Sequence, residues 1–470
     1  MKYVSTRGQA PALGFSDVVL TGLARDGGLY VPESWPSLSQ DQLGALSGAT
    51  YAEIAKTVLA PFFEGEIDAQ EFSQMVDEAY ASFCHPAVAP LVQTDSNEFV
   101  LELFHGPTMA FKDVAMQLLS RLMDKILADR GTQLTIVGAT SGDTGGAAIE
   151  AFRGRSNTDI FILFPNGRVS DVQRWQMTGV DDPNVHALAI EGTFDDCQAL
   201  VKDMFDHHAF RDGHNLSGVN SINWGRIMAQ IVYYFSSALS LGAPDRPVSF
   251  CVPTGNFGDI FAGYVAKKMG LPIERLVIAT NSNDILVRTM ETGRYETSSV
   301  DVTSSPSMDI QVSSNFERLL FESSGRDADW VANSMSSLKQ SGAFALSEKV
   351  KAAIDVDFEA GRATEEEVNS MIEQVYAAHG YLLDPHTAVG VCVARQSKPS
   401  HAPMIVLSTA HPAKFPDAVE KASGTRPALP PRNAGLMKGK ERFSILPSEL
   451  NAVEGYIAQH TRAQNANDGS

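Results

Sequence analysis

Basic residues are in short supply in this 470-residue chain, where 37 lysines and arginines face 56 aspartates and glutamates for a formal charge of −19. Such a balance favours solubility and argues against a nucleic-acid surface, which needs clustered positive charge. An anionic ligand would have to be held by a local group of donors. Cysteine is scarcer still: Cys84, Cys197, Cys251 and Cys392 are scattered, with no C-x-x-C pair. That pattern argues against a disulfide framework and gives no support to a zinc site. His207, His208 and His214 lie close in sequence, but no cysteine or acidic pattern completes a metal site, so they read as surface residues and no metal is expected. No run approaches the roughly 18 apolar residues of a membrane span, and the segment after Met1 lacks the apolar stretch of a signal peptide. A cytoplasmic protein without membrane or nucleic-acid partners is expected. Neither the G-x-G-x-x-G dinucleotide fingerprint nor a Walker loop closed by Gly-Lys-Ser/Thr is present, which argues against a dehydrogenase and a nucleotide-triphosphate enzyme.

What is present is globular in character, with 44% hydrophobic and 20% charged residues. The length calls for two or three lobes. Residues 1–95 form an N-terminal unit with helical patterns near 51–63 and 68–83, the second opening on a capping-box signature of Asp68 and Glu71. From Phe99 onward, short apolar runs alternate with helical stretches. Residues 134–138, 160–164, 186–190, 248–252, 276–280 and 404–407 read as buried strands, and this alternation predicts an α/β fold with parallel sheets covered on both faces. The Ser- and Asp-rich section 295–330 reads as loop. Thr364 and Glu367 start a helix that Gly380 stops, and Asp384-Pro385 starts the next. A Pro-rich linker at 426–431 leads to a C-terminal appendage, 431–470, whose last residues, 464–470, are expected to fray. The intervening 96–430 divides into two lobes near residue 245, with an interleaved chain.

Three segments carry chemistry. In His105-Gly106-Pro107-Thr108-Met109-Ala110-Phe111-Lys112-Asp113, a lysine stands at the mouth of an amphipathic helix running from Val114 to about Ala128. Lysine forms imines, and burial or the positive helix end makes its amine more available. The alternative is a lysine that snorkels from an ordinary helix start. Two strand-to-helix turns, Ala139-Thr140-Ser141-Gly142-Asp143-Thr144-Gly145-Gly146 and Pro253-Thr254-Gly255-Asn256-Phe257-Gly258-Asp259, offer backbone amides to a carboxylate or phosphate. Tight turns without a ligand would look the same. Together, two anion-compatible turns and one helix-mouth lysine point to a lysine-bound phosphorylated cofactor, and pyridoxal 5'-phosphate needs both parts. After the last strand, Ser408-Thr409-Ala410-His411-Pro412-Ala413-Lys414 supplies a hydroxyl that could meet a pyridine nitrogen or simply cap the strand.

These segments, with Ser5-Thr6-Arg7-Gly8, Arg25-Asp26-Gly27-Gly28-Leu29-Tyr30-Val31-Pro32 and Asn220-Ser221-Ile222-Asn223-Trp224-Gly225-Arg226, stand in one order over nearly the whole chain. The sequence resembles the threonine synthase family, of the longer type with an extra N-terminal unit, within the tryptophan-synthase-β-like class of pyridoxal phosphate enzymes. The resemblance implies two open, mostly parallel sheets flanked by helices. It implies Lys112 as the Schiff-base lysine, Gly255, Asn256, Phe257 and Gly258 as the phosphate loop, and Thr409 as the partner of the pyridine nitrogen. Asp143 falls where related enzymes often carry asparagine near the cofactor's 3-hydroxyl. Thr140, Ser141 and Thr144 lie where the substrate α-carboxylate binds, and Ser221 and Arg226 where its phosphate binds. A planar guanidinium beside neutral donors suits a phosphate, although Arg226 could equally be a helix-surface residue.

The implied activity is that of a carbon–oxygen lyase acting on phosphates, converting O-phospho-L-homoserine and water to L-threonine and phosphate in a monomer; from the multi-lobe length, closure of the lobes on substrate is expected. Two rivals share the cofactor: a phospho-lyase releasing a keto acid and ammonia, and a serine/threonine dehydratase with no need of Arg226. A rival of another class is a cofactor-free binding protein on the same scaffold.

Overall fold

A computed structural model describes residues 1–463; the expected fraying of 464–470 lies outside the described residues. The N-terminal unit is anchored by a two-stranded antiparallel ribbon, Tyr3–Ser5 against Tyr30–Pro32. The helix Tyr51–Leu59 starts with a reciprocal Thr50–Glu53 capping box. The helix Ala69–Tyr80 is capped by Asp68, which accepts from the Gln70 and Glu71 amides. Only half of the box expected there forms, because the Glu71 carboxylate lies 3.0 Å from Lys125 Nζ instead. Trp224 is fully buried where this unit meets the rest of the chain, with ring centroids 5.9 Å from Tyr3, 6.0 Å from Trp35 and 5.7 Å from Phe62.

Two larger sheets follow. Their strands in chain order begin with β1 (Leu91–Asp95), β2 (Glu98–Glu102), β3 (Leu134–Ala139), β4 (Thr158–Pro165) and β5 (Val185–Glu191). Then come β6 (Leu216–Ser217), β7 (Val248–Pro253), β8 (Ile273–Thr280), β9 (Phe358–Arg362), β10 (Met404–Ser408) and β11 (Ser444–Pro447). One sheet has the order β9-β8-β7-β10-β2-β1 and the other β11-β5-β4-β3-β6. Every pairing is parallel except the β1–β2 hairpin. Strand β4 is buried at all eight positions, as expected of a parallel strand covered on both faces. The predicted α/β architecture and all six strand runs are therefore present. β2 crosses from the N-terminal side into the sheet built by β7 to β10, and β11 returns from the C-terminal end to pair with β5. The helix Leu450–His460 follows β11 and buries Val453 and Ile457 in the same cluster as Phe161 and Leu188.

Four helices position the site: α1 (Lys112–Arg130), α2 (Asp143–Phe152), α3 (Trp224–Ser240) and α4 (Gly258–Lys268). The section read as loop is a correction. Within 295–330 the helix Phe316–Ser323 buries Phe316, Leu319 and Leu320, and Arg294–Glu296 pairs with Ala343–Ala345. The Ser/Asp composition around it masks a short i, i+3, i+4 apolar pattern, which tertiary burial converts into a helix. Among the described residues, no helix is long and apolar enough to cross a membrane.

Replacing Trp224 by alanine removes the aromatic hub joining the N-terminal unit to α3. A loss of about 3–5 kcal/mol is expected for a fully buried aromatic, read as a lower urea midpoint for the whole chain.

Candidate active site

Lys112 is the first residue of α1 and is 8% exposed. Its approach is held by a short backbone ladder. The Phe111 N–H donates to the Thr409 carbonyl at 2.8 Å, the His411 N–H donates to the Met109 carbonyl at 3.0 Å, and Ala110 bridges Ala410. Met109 sits in the left-handed region at φ 61°, a conformation an L-residue keeps only when its surroundings impose it. Asp113 ties the same turn from the other side, accepting from the Thr108 amide at 2.8 Å and hydroxyl at 2.6 Å. Gly106 is packed against it: a Cβ there would lie 2.4 Å from the Asp113 Cβ. The lysine thus enters the interior instead of snorkelling outward.

Burial lowers the Lys112 ammonium from its usual range, Asp143 opposes that shift, and the charges of Lys414 and Arg226 add to it. Its Nζ lies 3.5 Å from Asp143 Oδ2. The other oxygen, Asp143 Oδ1, lies 3.0 Å from Lys414 Nζ and accepts from Gln173 Nε2 at 3.0 Å. Burial alone would raise the Asp143 carboxyl, but the two ammonium groups with the Gln173 amide hold it well below the usual carboxylate range. Lys414 is wholly buried, and its amine also donates to the Thr108 carbonyl and to Gln176 Oε1, each at 2.8 Å. The sequence offers Lys414 only as part of the Ser408-to-Lys414 segment, with no role of its own.

The turn carrying Asp143 is built from its own small residues. Thr140 Oγ1 accepts from the Gly142 and Gly145 amides, both at 2.9 Å. A Cβ at Gly142 would meet the Gln173 amide at 2.3 Å, at a φ of 143° that L-residues rarely adopt. Thr140 is buried, while Ser141 and Thr144 are half-buried. Among the described residues, the hydroxyls of Ser141 and Thr144 make no protein hydrogen bond.

The second turn lies beside α3. Phe257 is left-handed at φ 62°, which reverses the chain before α4. The Asn256 carbonyl accepts from the Asn315 amide at 3.0 Å and from its side chain at 2.9 Å, and that side chain also reaches the Ser221 carbonyl at 3.3 Å. Asn315 therefore holds the Ser221 strip against the turn, a connection no sequence pattern announced. Among the described residues, the amides of Gly255, Asn256, Phe257 and Gly258 donate to no protein acceptor, and a Cβ at Gly255 would lie 2.7 Å from the Ser307 carbonyl. Crowded, inward, unpartnered amides at a helix start suit a phosphate.

Arg226 is a buried residue of α3, so the helix-surface reading of it fails. One nitrogen, Nη1, donates to the Val219 carbonyl at 3.1 Å, while Nε is buried without a partner. Burial pushes the guanidinium down to about 10. In α4, burial pushes the Asp259 carboxyl up to about 6, against its Tyr233 and Tyr234 hydrogen bonds and the Lys112 charge. Thr409 is buried directly beside the Lys112 approach through its carbonyl. The structure thus gathers Lys112, Asp143 and Thr409 by direct or adjacent contact, and Ser221 with the second turn through Asn315. A buried amine, an array of free amides and an excess of buried cationic groups fit pyridoxal phosphate.

The comparisons agree with that chemistry. Residues 2–80 match the family described as Threonine synthase N terminus, 87–409 the Pyridoxal-phosphate dependent enzyme family, and 387–457 the family described as Threonine synthase, C-terminal. The chain is 53% identical over 462 residues to the threonine synthase of Pseudomonas aeruginosa, covering 98% of each chain. It is 43% identical to that of Saccharomyces cerevisiae, over 95% of this chain and 92% of the yeast one. Among solved structures it is similar to a PLP-bound threonine synthase from Brucella melitensis, with a TM-score of 0.97, 66% identity and coverage of 98% and 100%. With its buried lysine and free amides in that fold, the chain belongs to the threonine synthase family of pyridoxal phosphate-dependent enzymes.

Proposed function

We propose that the protein converts O-phospho-L-homoserine and water to L-threonine and phosphate, with Lys112 as its catalytic amine. The observation that carries this reading is the pairing of a buried Lys112, 3.5 Å from Asp143, with a second buried cation, Arg226, that has an unpartnered Nε. One cationic group serves the cofactor link and the other a second phosphate. When bound, pyridoxal phosphate supplies the aldehyde that joins an amine and the ring that stores electrons as substrate protons leave. The amides of Gly255, Asn256, Phe257 and Gly258 would hold its phosphate, and Thr409 would offer a neutral hydroxyl to its ring nitrogen. Asp143 orients Lys112 and balances its charge. Lys112 would move the substrate's α-proton and help remove a β-proton, which a lowered ammonium pKa favours. Thr140, Ser141 and Thr144 take the α-carboxylate. Arg226 and Ser221 would take the γ-phosphate until it departs; water would then add at Cβ, and the protons removed from Cα and Cβ would be balanced by protons delivered to Cγ and Cα.

Incubation with phosphohomoserine separates the products: threonine accumulates with the wild type and falls to background with Lys112→Ala. 2-Ketobutyrate as the main product would instead mark a lyase or dehydratase. Arg226→Gln is expected to lower kcat/KM for the phosphorylated substrate by about 10- to 100-fold, the worth of a charge-assisted hydrogen bond, measured by steady-state threonine formation.

Lys414→Met removes a cation that depresses Lys112 and leaves Lys112 as the one ammonium beside Asp143 among the described residues. Both effects raise the Lys112 pKa. The acid limb of the kcat–pH profile therefore moves to higher pH, with a loss at neutral pH of about tenfold. An unmoved acid limb would place Lys414 outside the control of Lys112.

A further inference from the structure

A second constellation of titratable groups borders the ladder that positions Lys112, whose Met109 and His411 line the same cavity. A cavity of about 400 Å3 is lined by Phe104, Met109, Tyr381, Pro430, Arg432 and Asn433, with Cys84 and His105 in its wall. Cys84 Sγ is 3.8 Å from His105 Nδ1, and His105 Nε2 is 2.7 Å from Glu102 Oε2. The Tyr381 hydroxyl donates to the other oxygen, Glu102 Oε1, at 2.8 Å. A carboxylate can only accept, so Nε2 carries the imidazole hydrogen and Nδ1 is left to take the Cys84 proton. The two backbones are locked together as well, since the Cys84 N–H donates to the His105 carbonyl at 3.0 Å. Arg432 closes the arrangement, its Nη1 donating to the Ser82 and His105 carbonyls at 3.2 and 3.1 Å.

Thiol, imidazole, carboxylate and phenol form one connected relay, and nothing in the proposed reaction uses it. Burial would push the Cys84 thiol up, but His105 and Arg432 outweigh it and hold the thiol below its ordinary range. Burial would likewise lower His105, and Glu102 with Cys84 outweighs that to raise it. Cys84 is exposed, whereas Cys197, Cys251 and Cys392 are buried and their thiols are pushed up by burial. Reactivity of this kind follows from thiolate character combined with access.

We infer that Cys84 is a thiol-modification site, activated by His105 and Glu102, that takes low-molecular-weight disulfides bearing carboxylates into the Arg432-rimmed cavity. The Cys84 proton passes to His105 Nδ1. The thiolate attacks one sulfur of the incoming disulfide, the S–S bond of that disulfide breaks as the new one to Cys84 forms, and the second half leaves as a thiolate. Electrons balance without any further oxidant. The apolar wall of Phe104, Met109 and Pro430 covers the retained half, and the Arg432 guanidinium pairs with its carboxylate.

The test uses full-length holoenzyme at neutral pH with two probes: glutathione disulfide, which is anionic, and bis(2-hydroxyethyl) disulfide, which is neutral. Intact mass and peptide mapping follow the adducts. The expected result is a single adduct on Cys84 that forms ~10-fold faster than on a peptide of residues 80–88. His105→Gln should bring the rate down about tenfold, towards that of the peptide. Arg432→Gln should slow glutathione disulfide more than the neutral probe. The proposal is overturned if Cys84 in the wild type reacts no faster than the peptide, or if His105→Gln leaves the rate unchanged. Equal discrimination between the two probes in wild type and Arg432→Gln would overturn the carboxylate preference. All readouts are adduct masses, so none depends on the reaction assigned to Lys112.

Discussion

Asp143 sits buried between two buried ammonium groups, and the geometry around Lys112 depends on that charge balance. An isolated carboxylate at this depth would be costly, and so would either lysine. Together they tolerate burial because the charges offset one another and because Asp143 Oδ1 and the Lys414 amine have further hydrogen-bond partners. Gln173 takes part of one Asp143 oxygen, and Gln176 and the Thr108 carbonyl take the spare hydrogens of Lys414. The Thr108 segment is in turn the one that Asp113 and the Thr409 ladder hold in place. Charge compensation and backbone position are thus the same structure seen from two sides.

The sum of charge at the centre runs against the sum over the chain. A protein with a formal charge of −19 gathers Lys112 and Lys414 around Asp143, with the Arg226 charge felt at Lys112, while burial pushes Asp259 towards its neutral form. A local cationic excess in a poorly solvated space attracts phosphate far more strongly than the same charges would at the surface. Backbone amides at the start of α4 add to it without adding side-chain charge. An acidic protein can accommodate a phosphate-bearing cofactor in this way.

Much of the fold was legible because its strands are short continuous apolar runs, a pattern that parallel sheets impose wherever both faces are covered. The strands β3, β4 and β7 carry that pattern, and the turns after β3 and β7 carry glycines where a Cβ would collide. The helix Phe316–Ser323 was hidden by its polar surroundings, since its stability comes from the surface it meets and little from propensity. Asn315 and Lys414 were invisible as site residues for a related reason. One links two segments far apart in sequence, and the other is read correctly only when its burial is known.

By itself the sequence determined the alternation of strand and helix, the helix-mouth lysine, the two amide-rich turns and the family to which their order belongs, because each is encoded within a few neighbouring residues. Tertiary structure alone decided that Lys414 shares Asp143 with Lys112, that Arg226 is buried with Nε unpartnered, and that Cys84 meets His105 and Glu102. Most of those facts depend on contacts between segments tens to hundreds of residues apart, which only the packed fold sets.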